Sequence, residues 1–525
     1  MIQEGSTVDL PSLAVPLLVL PPLILLGAFV LATTAQARQV DVAALDSLLE
    51  TERRDWDIPG LAVAIVQGDS VVLARGYGVR EAGAAEPVDV HTLFAIGSTT
   101  KAFTSTALAM LVGEGAVAWD DRVVDRLPGF ALEDPWVTGE ITIRDLLAQR
   151  SGLPMANLMW LSGQHDRSEL VRRIRFLEPV TSFRSAFSYQ NVLYTAAGLV
   201  VETVAGESWS AFLRERVFRP LKMERTNTSV DSLVGVGNVA TPHAVIDGEP
   251  RAVPYRNIDH VGPAGSINSS AAEMAQWLRL QLGGGDVDGQ RLVAEEALDE
   301  TRRPQIVMPL EGPLAAFYPE ARSLAYGMGW VVSDYRGRTL LDHGGGIDGM
   351  TSLVALVPEE GLGVAILTSV QLPTPPYWIL YTILDRYLDA ESDDWSAHFR
   401  ELHGMFEARP PAERVLMAEP SLPLDRYAGM YESAPLGEIG VEGRDGSLHL
   451  RYGRLEGPLE PWHFDTFRVP WNDRAWLAAA GPGWVTFRLG REGGVEGFEL
   501  EAIPGETWGF DRVREVAGSG PAANR

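Results

Sequence analysis

The sequence contains no cysteine, which excludes disulfide bonds, thiolate metal sites and cysteine nucleophiles. Lysine is nearly as scarce, because Lys101 and Lys222 are the only lysines among 44 lysines and arginines. Arginine keeps its charge at every accessible pH, whereas a lysine loses its proton near neutrality when its surroundings lower its pKa. A lysine that is retained against this bias is therefore a candidate for proton transfer.

Positive charge is in short supply overall, since the formal net charge of the 525 residues is −26 at pH 7. An acidic surface repels phosphate backbones and anionic lipid, so we expect no nucleic-acid partner. The nine histidines are dispersed and no H-E-x-x-H motif occurs. We therefore predict neither a metal nor a cofactor.

Residues 10–37 carry no charge and include an apolar run, 23–32, which is followed by Ala35-Gln36-Ala37. This pattern is typical of a signal peptide, and the stretch is also long enough for a membrane anchor. The first nine residues contain Glu4 and Asp9 but no basic residue, which is unusual for either. We expect export to the periplasm or the medium, with membrane contact only through residues 1–37 if they are not cleaved.

Strand-like patterns stand at both ends of a long helical stretch. The predicted strands are 61–66 and 70–77, which form a hairpin, and 339–342, 351–357 and 362–368. The predicted helices are 98–112, 141–149, 193–204, 271–282 and 379–388, and glycines 344–346 are interpreted as a turn. This order predicts an α/β (α+β) fold in which distant segments close one sheet and helices cover its faces.

The last part of the chain has a different pattern. Residues 393–423 are charged and rich in proline, which indicates a linker with some helix. Short strands then recur between glycines over 427–513, which predicts a small all-β domain. Its aromatic residues are expected to form its core rather than a ligand site.

Ser98 and Lys101 stand one helical turn apart at the start of a predicted helix, after Gly97. Residues at i and i+3 share one helix face, so the hydroxyl and the amine would point the same way. The helix N-terminus favours an alkoxide, and an apolar site lowers a lysine pKa enough for it to take the serine proton. The alternative is an N-cap serine beside a solvated lysine, which the scarcity of lysine disfavours.

Two further motifs carry polar chemistry. Tyr189 needs a nearby cation to act as a base, and Asn191 can accept from Lys101 while its amide donates to a substrate carbonyl. The run His343-Gly344-Gly345-Gly346 at a strand end lets a substrate backbone lie close to the strand edge. The backbone N–H of Gly346 would join that of Ser98 in an oxyanion hole, where one donor stabilises the transition state by about 3–4 kcal/mol. Taken separately, the first motif would indicate only a tyrosine in a turn or an edge strand, and the second only a flexible turn.

In this order, the three motifs resemble those of the penicillin-recognising serine hydrolases, in the branch of class C β-lactamases, D-Ala-D-Ala carboxypeptidases, D-aminopeptidases and esterases. The family motifs S-x-x-K, Y-x-N and K-T-G or H-x-G correspond here to 98–101, 189–191 and 343–345. Secondary signatures include 264–266 and 326–330. The resemblance covers residues 42–390, and the segment that begins at 427–431 resembles the lipocalin-like C-terminal domain of some members.

The resemblance implies a β-lactamase/transpeptidase-like fold, with an antiparallel sheet flanked by helices, an all-helical subdomain and a small C-terminal β-barrel. The expected divisions are 1–37 (signal peptide or anchor), 38–390 (hydrolase), 391–424 (linker), 425–515 (β domain) and 516–525 (disordered tail).

The resemblance also implies a mechanism, in which Ser98 attacks a carbonyl, Lys101 and Tyr189 move its proton, and water releases an acyl-enzyme. Substrate and oxyanion contacts are expected from Asn191, His343, Gly345 and Gly346. Whether Lys101 or Tyr189 is the base stays open at this point, because their titrations would be coupled.

His343 departs from the pattern of the lactamases, which carry lysine at this position. Histidine is shorter and about half charged near pH 6.5. This favours small esters or amides, including D-amino-acid peptides and cell-wall fragments, over β-lactams. A catalytically silent protein that senses cell-wall fragments or β-lactams is the alternative, but it would be expected to have lost Ser98, Lys101 or Tyr189. The choice between esterase and peptidase stays open, and so does the oligomeric state.

Overall fold

The structure is a computed structural model that describes residues 40–391, 393–407 and 413–513. The predicted export segment and the predicted C-terminal tail lie outside these residues. Their interpretation therefore stays a prediction. Within the described ranges, no helix combines the length and the apolar character needed to cross a bilayer.

The first domain contains the helices that were expected around a sheet. The strands before residue 391 are β1 (Gly60–Gln67), β2 (Ser70–Gly78), β3 (Phe94–Ala95), β4 (His243–Ile246), β5 (Glu249–Ala252), β6 (Asn268–Ser269), β7 (Asp286–Val287), β8 (Gln290–Arg291), β9 (Ile306–Val307), β10 (Leu324–Tyr326), β11 (Val331–Tyr335), β12 (Arg338–Ile347), β13 (Met350–Val357) and β14 (Leu362–Thr368). The α-helices of the described residues are α1 (Val42–Asp55), α2 (Thr100–Gly113), α3 (Val123–Arg126), α4 (Pro135–Glu140), α5 (Ile143–Leu147), α6 (Leu158–Leu161), α7 (Arg167–Arg173), α8 (Asn191–Ala205), α9 (Trp209–Leu213), α10 (Ala271–Leu282), α11 (Glu295–Arg302), α12 (Gly312–Phe317), α13 (Pro375–Tyr387), α14 (Trp395–Glu407) and α15 (Arg474–Ala480).

An antiparallel sheet joins the two ends of this domain, in the order β2-β1-β14-β13-β12-β11-β10-β9. Helices cover both faces of this sheet. The side chains of each strand alternate between the two faces, so each strand contributes to both cores. In β1, Leu61 and Val63 pack against α1, α13 and α14, whereas Ala62 and Ala64 join the core formed with α2, α8 and α10. The small alanines on the second face allow α10 to pack closely on β1.

The predicted helices correspond to observed ones, although several begin or end a few residues away from the predicted bounds. α10 has the predicted bounds, and α8 begins at Asn191 because the Gln190 side chain accepts from the Val192 N–H at 2.8 Å. α2 begins at Thr100 rather than Ser98, since residues 97–99 form a 3₁₀ turn. In a 3₁₀ turn residues i and i+3 eclipse one another, so the predicted alignment of Ser98 and Lys101 is retained.

The glycine run that was interpreted as a turn is part of β12, which continues to Ile347. That interpretation was wrong because glycine has low strand propensity, and a contact distant in sequence decides the conformation here. A Cβ on Gly345 would lie 2.0 Å from the Ile96 carbonyl oxygen, so the strand can pass the chain before Ser98 only with glycine at this position.

The region predicted as a linker contains α14, which is part of the first domain's core. Trp395, Phe399 and Leu402 are buried against the same sheet face as α13. The Trp395 indole also donates to the Asp385 carboxylate at 2.7 Å. Periodic aromatic and aliphatic positions among the charges were the sequence signal for this packing.

The C-terminal part is a closed antiparallel barrel, with strands that pair in chain order and a last strand that pairs with the first. Its strands are β15 (Gly429–Ser433), β16 (Gly437–Arg444), β17 (Ser447–Tyr452), β18 (Leu455–His463), β19 (Thr466–Val469), β20 (Gly483–Leu489), β21 (Val495–Ile503) and β22 (Glu506–Arg512). The barrel interior, as we use the term, consists of the buried rings of Tyr427, Tyr431, Phe467, Phe487, Phe498 and Phe510. Together, the helix-flanked antiparallel sheet and this barrel confirm the predicted fold class.

Candidate active site

Four polar side chains from two segments meet between α2, α8 and β12. Ser98 and Lys101 come from the 3₁₀ turn and the start of α2, and Tyr189 and Asn191 from the entry of α8. The Ser98 Oγ lies 3.0 Å from the Lys101 Nζ and 2.8 Å from the Tyr189 hydroxyl oxygen. We call these four residues the Ser98 corner. A hydroxyl that contacts an amine and a phenol at once is well placed to lose its proton.

Gly97 allows the serine turn to press against the sheet. Its φ is +49°, a conformation that favours glycine, and a Cβ there would lie 2.8 Å from the Gly346 nitrogen. The turn thereby brings the backbone around Ser98 against the backbone of Gly346. Ser98 itself remains partly exposed, whereas Lys101 behind it is fully buried.

The surroundings of Lys101 favour its neutral form. Burial lowers the pKa of its amine well below the usual range. Its Nζ donates to the Asn191 Oδ1 at 2.7 Å and to the Ala264 carbonyl oxygen at 2.8 Å. A neutral amine has two hydrogens and one lone pair, so these two acceptors leave the lone pair for Ser98. Lys101 is therefore placed to accept the Ser98 proton.

The orientation of the Asn191 amide follows from its neighbours. The Trp160 indole N–H, which can only donate, contacts one side-chain atom of Asn157 at 3.0 Å, so that atom is the oxygen. The same oxygen lies 3.1 Å from the Asn191 amide, which must therefore present its nitrogen there. The other end of the Asn191 amide is then the oxygen that accepts from Lys101.

Tyr189 has the opposite electrostatic preference. Burial raises the pKa of its phenol above the usual range, so the hydroxyl keeps its proton and donates to Ser98. The Lys101 Nζ also lies 4.7 Å from the centre of the Tyr189 ring. When two titratable groups have pKa values that are pushed apart in this way, they are suited to the separate roles of base and hydrogen-bond donor.

His343 is a neutral residue in this structure. Its Nε2 lies 3.0 Å from the Tyr326 hydroxyl, and its Nδ1 lies 2.7 Å from the Gly344 carbonyl, so Nδ1 carries the hydrogen. Burial, with Lys101 nearby, lowers the pKa of His343 to about 3. The expectation of a half-charged ring near pH 6.5 is therefore corrected, because the ring is 4% exposed and both nitrogens are engaged.

The strand that carries Gly345 and Gly346 has one free edge beside the serine turn. β11 pairs with β12 only as far as Asp342, whereas β13 pairs with β12 as far as Ile347. Nothing would obstruct a Cβ on Gly346 within 4 Å, so this position faces open space. The segment from His343 to Ile347 can therefore present backbone groups to a bound molecule.

Several residues that contribute to the site could not be assigned a role from the sequence. Ala264 and Tyr326 lie within the secondary signatures but act through a carbonyl oxygen and a buried hydroxyl. No sequence signal pointed to Asn157, because its contact with Asn191 spans 34 positions of the chain. Within the described residues, no cluster of three or more His, Asp or Glu side chains is arranged to hold a metal.

Comparison with known proteins places this geometry in a family. The family model described as Beta-lactamase matches residues 45–379, which include all four residues of the Ser98 corner. The chain belongs to the Beta-lactamase family. It therefore has the general character of a serine hydrolase. Residues 413–513 match a domain of unknown function, DUF3471.

Members and neighbours of the Beta-lactamase family cover much of the chain. An unguisins hydrolase, ungD, from Aspergillus violaceofuscus is 28% identical over 75% of this chain and 76% of its own length. Penicillin-binding protein 4 of Amycolatopsis lactamdurans is 29% identical over 60% of this chain and 82% of its own length. An octameric penicillin-binding protein homologue from Pyrococcus abyssi has the same fold, with a TM-score of 0.58 and 22% identity over 88% of this chain and 98% of its own.

Proposed function

We propose that this protein hydrolyses small esters or amides through an acyl-enzyme on Ser98. The observation that carries the proposal is the position of the Ser98 hydroxyl, 3.0 Å from a buried lysine and 2.8 Å from a partly buried tyrosine. The lysine is held in the form that accepts a proton and the tyrosine in the form that donates one. Metal-free acyl transfer requires this combination of an activated hydroxyl and a proton acceptor.

In the first step the Ser98 Oγ forms a bond to the substrate carbonyl carbon and its proton passes to the Lys101 Nζ. The carbonyl π electrons move to the oxygen, which becomes an oxyanion. Collapse of this intermediate breaks the bond to the leaving oxygen or nitrogen, and that atom takes the proton from Lys101. Water then attacks the acyl carbon and loses a proton to the same amine. Collapse of this second intermediate breaks the bond to the Ser98 Oγ, which takes the proton back from Lys101 as the acid is released.

The oxyanion would be held by the backbone N–H groups of Ser98 and Gly346. The close approach of Gly97 to the Gly346 nitrogen supports this assignment, since it brings the backbone of the Ser98 turn next to the backbone of β12. One such donor contributes about 3–4 kcal/mol to transition-state stabilisation. The free edge of β12 supports a substrate that lies along His343–Ile347.

The part of β12 from His343 to Ile347 carries no charge, which supports substrates that need no carboxylate anchor at this strand. His343 is neutral, and Lys222, the second lysine of the chain, is 78% exposed and lies beside Asp288. β-Lactams are therefore expected to be poor substrates. Esters and amides, including D-amino-acid peptides, fit the site better, and a relative named as a hydrolase supports turnover rather than binding alone.

Intact-mass spectrometry of the wild type and Ser98→Ala tests the proposal. We expect a fluorophosphonate to add once to the wild type and not to Ser98→Ala, and p-nitrophenyl esters to be turned over by the wild type alone. An adduct that persists in Ser98→Ala would move the nucleophile elsewhere. A lasting penicillin adduct without ester or amide turnover would instead support the sensing alternative.

Export remains part of the proposal and rests on residues 1–37. Sequencing the N-terminus of the protein produced in its native host would test it. A mature chain that begins shortly after Ala37 supports cleavage and release, whereas an intact N-terminus in the membrane fraction supports anchoring.

A further inference from the structure

The barrel contacts the first domain next to the Ser98 corner. Its Glu506, at the start of β22, accepts a hydrogen bond from the backbone N–H of Asn157 at 3.1 Å. Two further contacts follow the same segment. The backbone N–H of Arg454 in the barrel donates to the Ser162 carbonyl oxygen at 3.0 Å, and the Gln164 side-chain amide donates to the carbonyl oxygen of Glu438 in the barrel at 2.9 Å. The barrel therefore holds the segment that begins at Asn157.

Asn157 has a backbone N–H that finds no partner within its own segment, because the first N–H groups of a helix lack intrahelical acceptors. It precedes α6, and no side chain of that local segment caps the helix. Its side-chain oxygen accepts from Trp160 and Asn191 instead. The Glu506 carboxyl group takes the backbone N–H that would otherwise lack a partner, and burial raises the pKa of that carboxyl group.

A short series of hydrogen bonds links this carboxylate to the base. Asn157 accepts from the Asn191 amide at 3.1 Å, and Asn191 accepts from the Lys101 amine at 2.7 Å. The amine lies 3.0 Å from the Ser98 hydroxyl. Displacement of Asn157 would therefore free the Asn191 amide to rotate and would loosen the hold on Lys101.

A second barrel contact reaches the opposite wall of the site. Asp473, which precedes α15, accepts from Arg256 at 2.8 Å, and Arg256 also pairs with Asp348. Asp348 lies in the turn between β12 and β13, two residues after Gly346. Arg256 is only 5% exposed, so this attachment is well shielded from solvent. The barrel is thus tied to both sides of the Ser98 corner.

We propose that the C-terminal barrel maintains the geometry of the active site and that Glu506 is a positioning residue. It fixes Asn157, and through it the Asn191 amide that orients the base. This inference rests on the proposed role of Lys101 and extends it, because it assigns part of the catalytic geometry to a domain that contributes no group to the reaction itself.

The test compares Glu506→Ala, Glu506→Gln and Glu499→Ala in the full chain. Glu499 is exposed on the same hairpin and serves as the matched control. The readout is the rate constant for fluorophosphonate labelling per active site, which needs no knowledge of the substrate. We expect Glu506→Ala to lower this rate about tenfold, Glu506→Gln to retain most of it through its amide oxygen, and Glu499→Ala to match the wild type.

The pH profile of labelling distinguishes positioning from a loss of folded protein. A loosened site admits water, which raises the pKa of Lys101 and moves the acidic limb of the profile to higher pH in Glu506→Ala. Loss of folded protein alone would reduce the labelled fraction without moving that limb. Asn157→Ala and the double variant Asn157→Ala/Glu506→Ala should label at equal rates, because Glu506 acts through Asn157.

The outcomes separate the two proposals. Labelling that persists in Ser98→Ala would overturn the proposed nucleophile. Labelling that depends on Ser98 but is unchanged in rate and pH profile by Glu506→Ala would overturn only the role of the barrel. Additive losses in the double variant would also contradict a route through Asn157.

Discussion

The Ser98 corner encloses a buried amine and the barrel interior consists of buried rings, so the two regions are built from opposite kinds of side chain. The corner brings an amine, a phenol and an amide together around one hydroxyl, with contacts of 2.7–3.0 Å. In the barrel interior the rings of Phe498 and Phe510 stack at 5.1 Å, and those of Tyr431 and Phe498 meet edge to face at 4.8 Å. Burial of apolar rings stabilises a fold, whereas burial of an amine opposes folding and changes its pKa. Stability and reactivity are therefore assigned to different regions of this chain.

The largest effect is expected from Lys101→Met, which removes the base while keeping a long apolar side chain. The fluorophosphonate labelling rate should fall about 10³-fold, within the range for loss of a general base. The midpoint of thermal unfolding should rise, because the cost of burying the amine is removed. Lys222→Met makes the same change on an exposed lysine and should alter neither quantity. A fast-labelling Lys101→Met variant would break the contrast between the two regions.

A change in the barrel interior should give the reverse pattern. Phe467→Ala removes a fully buried ring that lies 5.3 Å from the ring of Tyr427. The free energy of unfolding of the barrel should fall by about 3–5 kcal/mol. The labelling rate per folded molecule should stay unchanged, because Phe467 lies on β19, away from the Glu506 hairpin. Denaturant titration followed by tryptophan fluorescence measures the first quantity, and a slower rate in the folded fraction would contradict the second.

A smaller, pH-dependent effect is expected at His343. Its pKa is about 3 in the folded chain against 6.5 when unperturbed, so the unfolded chain binds more protons between these values. The free energy of unfolding should therefore decrease as the pH falls from 6.5 to 3. His343→Gln keeps an acceptor for Tyr326 without a titrating ring, and it should lose less stability between pH 7 and pH 4. Urea midpoints at the two pH values test this, and equal losses would show that His343 does not control acid stability.

Local sequence patterns predicted much of the fold and the residues that surround Ser98. Apolar periodicity predicted α10 with its bounds, and the i, i+3 spacing predicted that Ser98 and Lys101 face one way. The three-motif order also predicted that Tyr189 and Asn191 join them. These features depend on neighbours in sequence or on a pattern shared by related chains.

The features that sequence missed depend on contacts between distant segments. Glycines 344–346 lie in a strand rather than a turn, and Gly345 is required there because the Ile96 carbonyl oxygen passes too close for a Cβ. His343 is neutral because Tyr326 and the strand backbone enclose it. Glu506 looked like one acidic residue among many, since its contact with Asn157 spans 349 positions. Such effects follow from tertiary packing, which no local propensity records.

The packing of α14 determines where this protein can be divided. The matches to the Beta-lactamase model and to DUF3471 end at residue 379 and begin at residue 413, which makes the interval resemble a spacer. A fragment cut near residue 390 would lack α14 and would expose the aromatic surface around Tyr381, against which Phe399 stacks. That fragment should aggregate during expression, whereas one that extends beyond residue 407 keeps the surface covered. Structurally, α14 therefore belongs to the hydrolase domain rather than to the barrel.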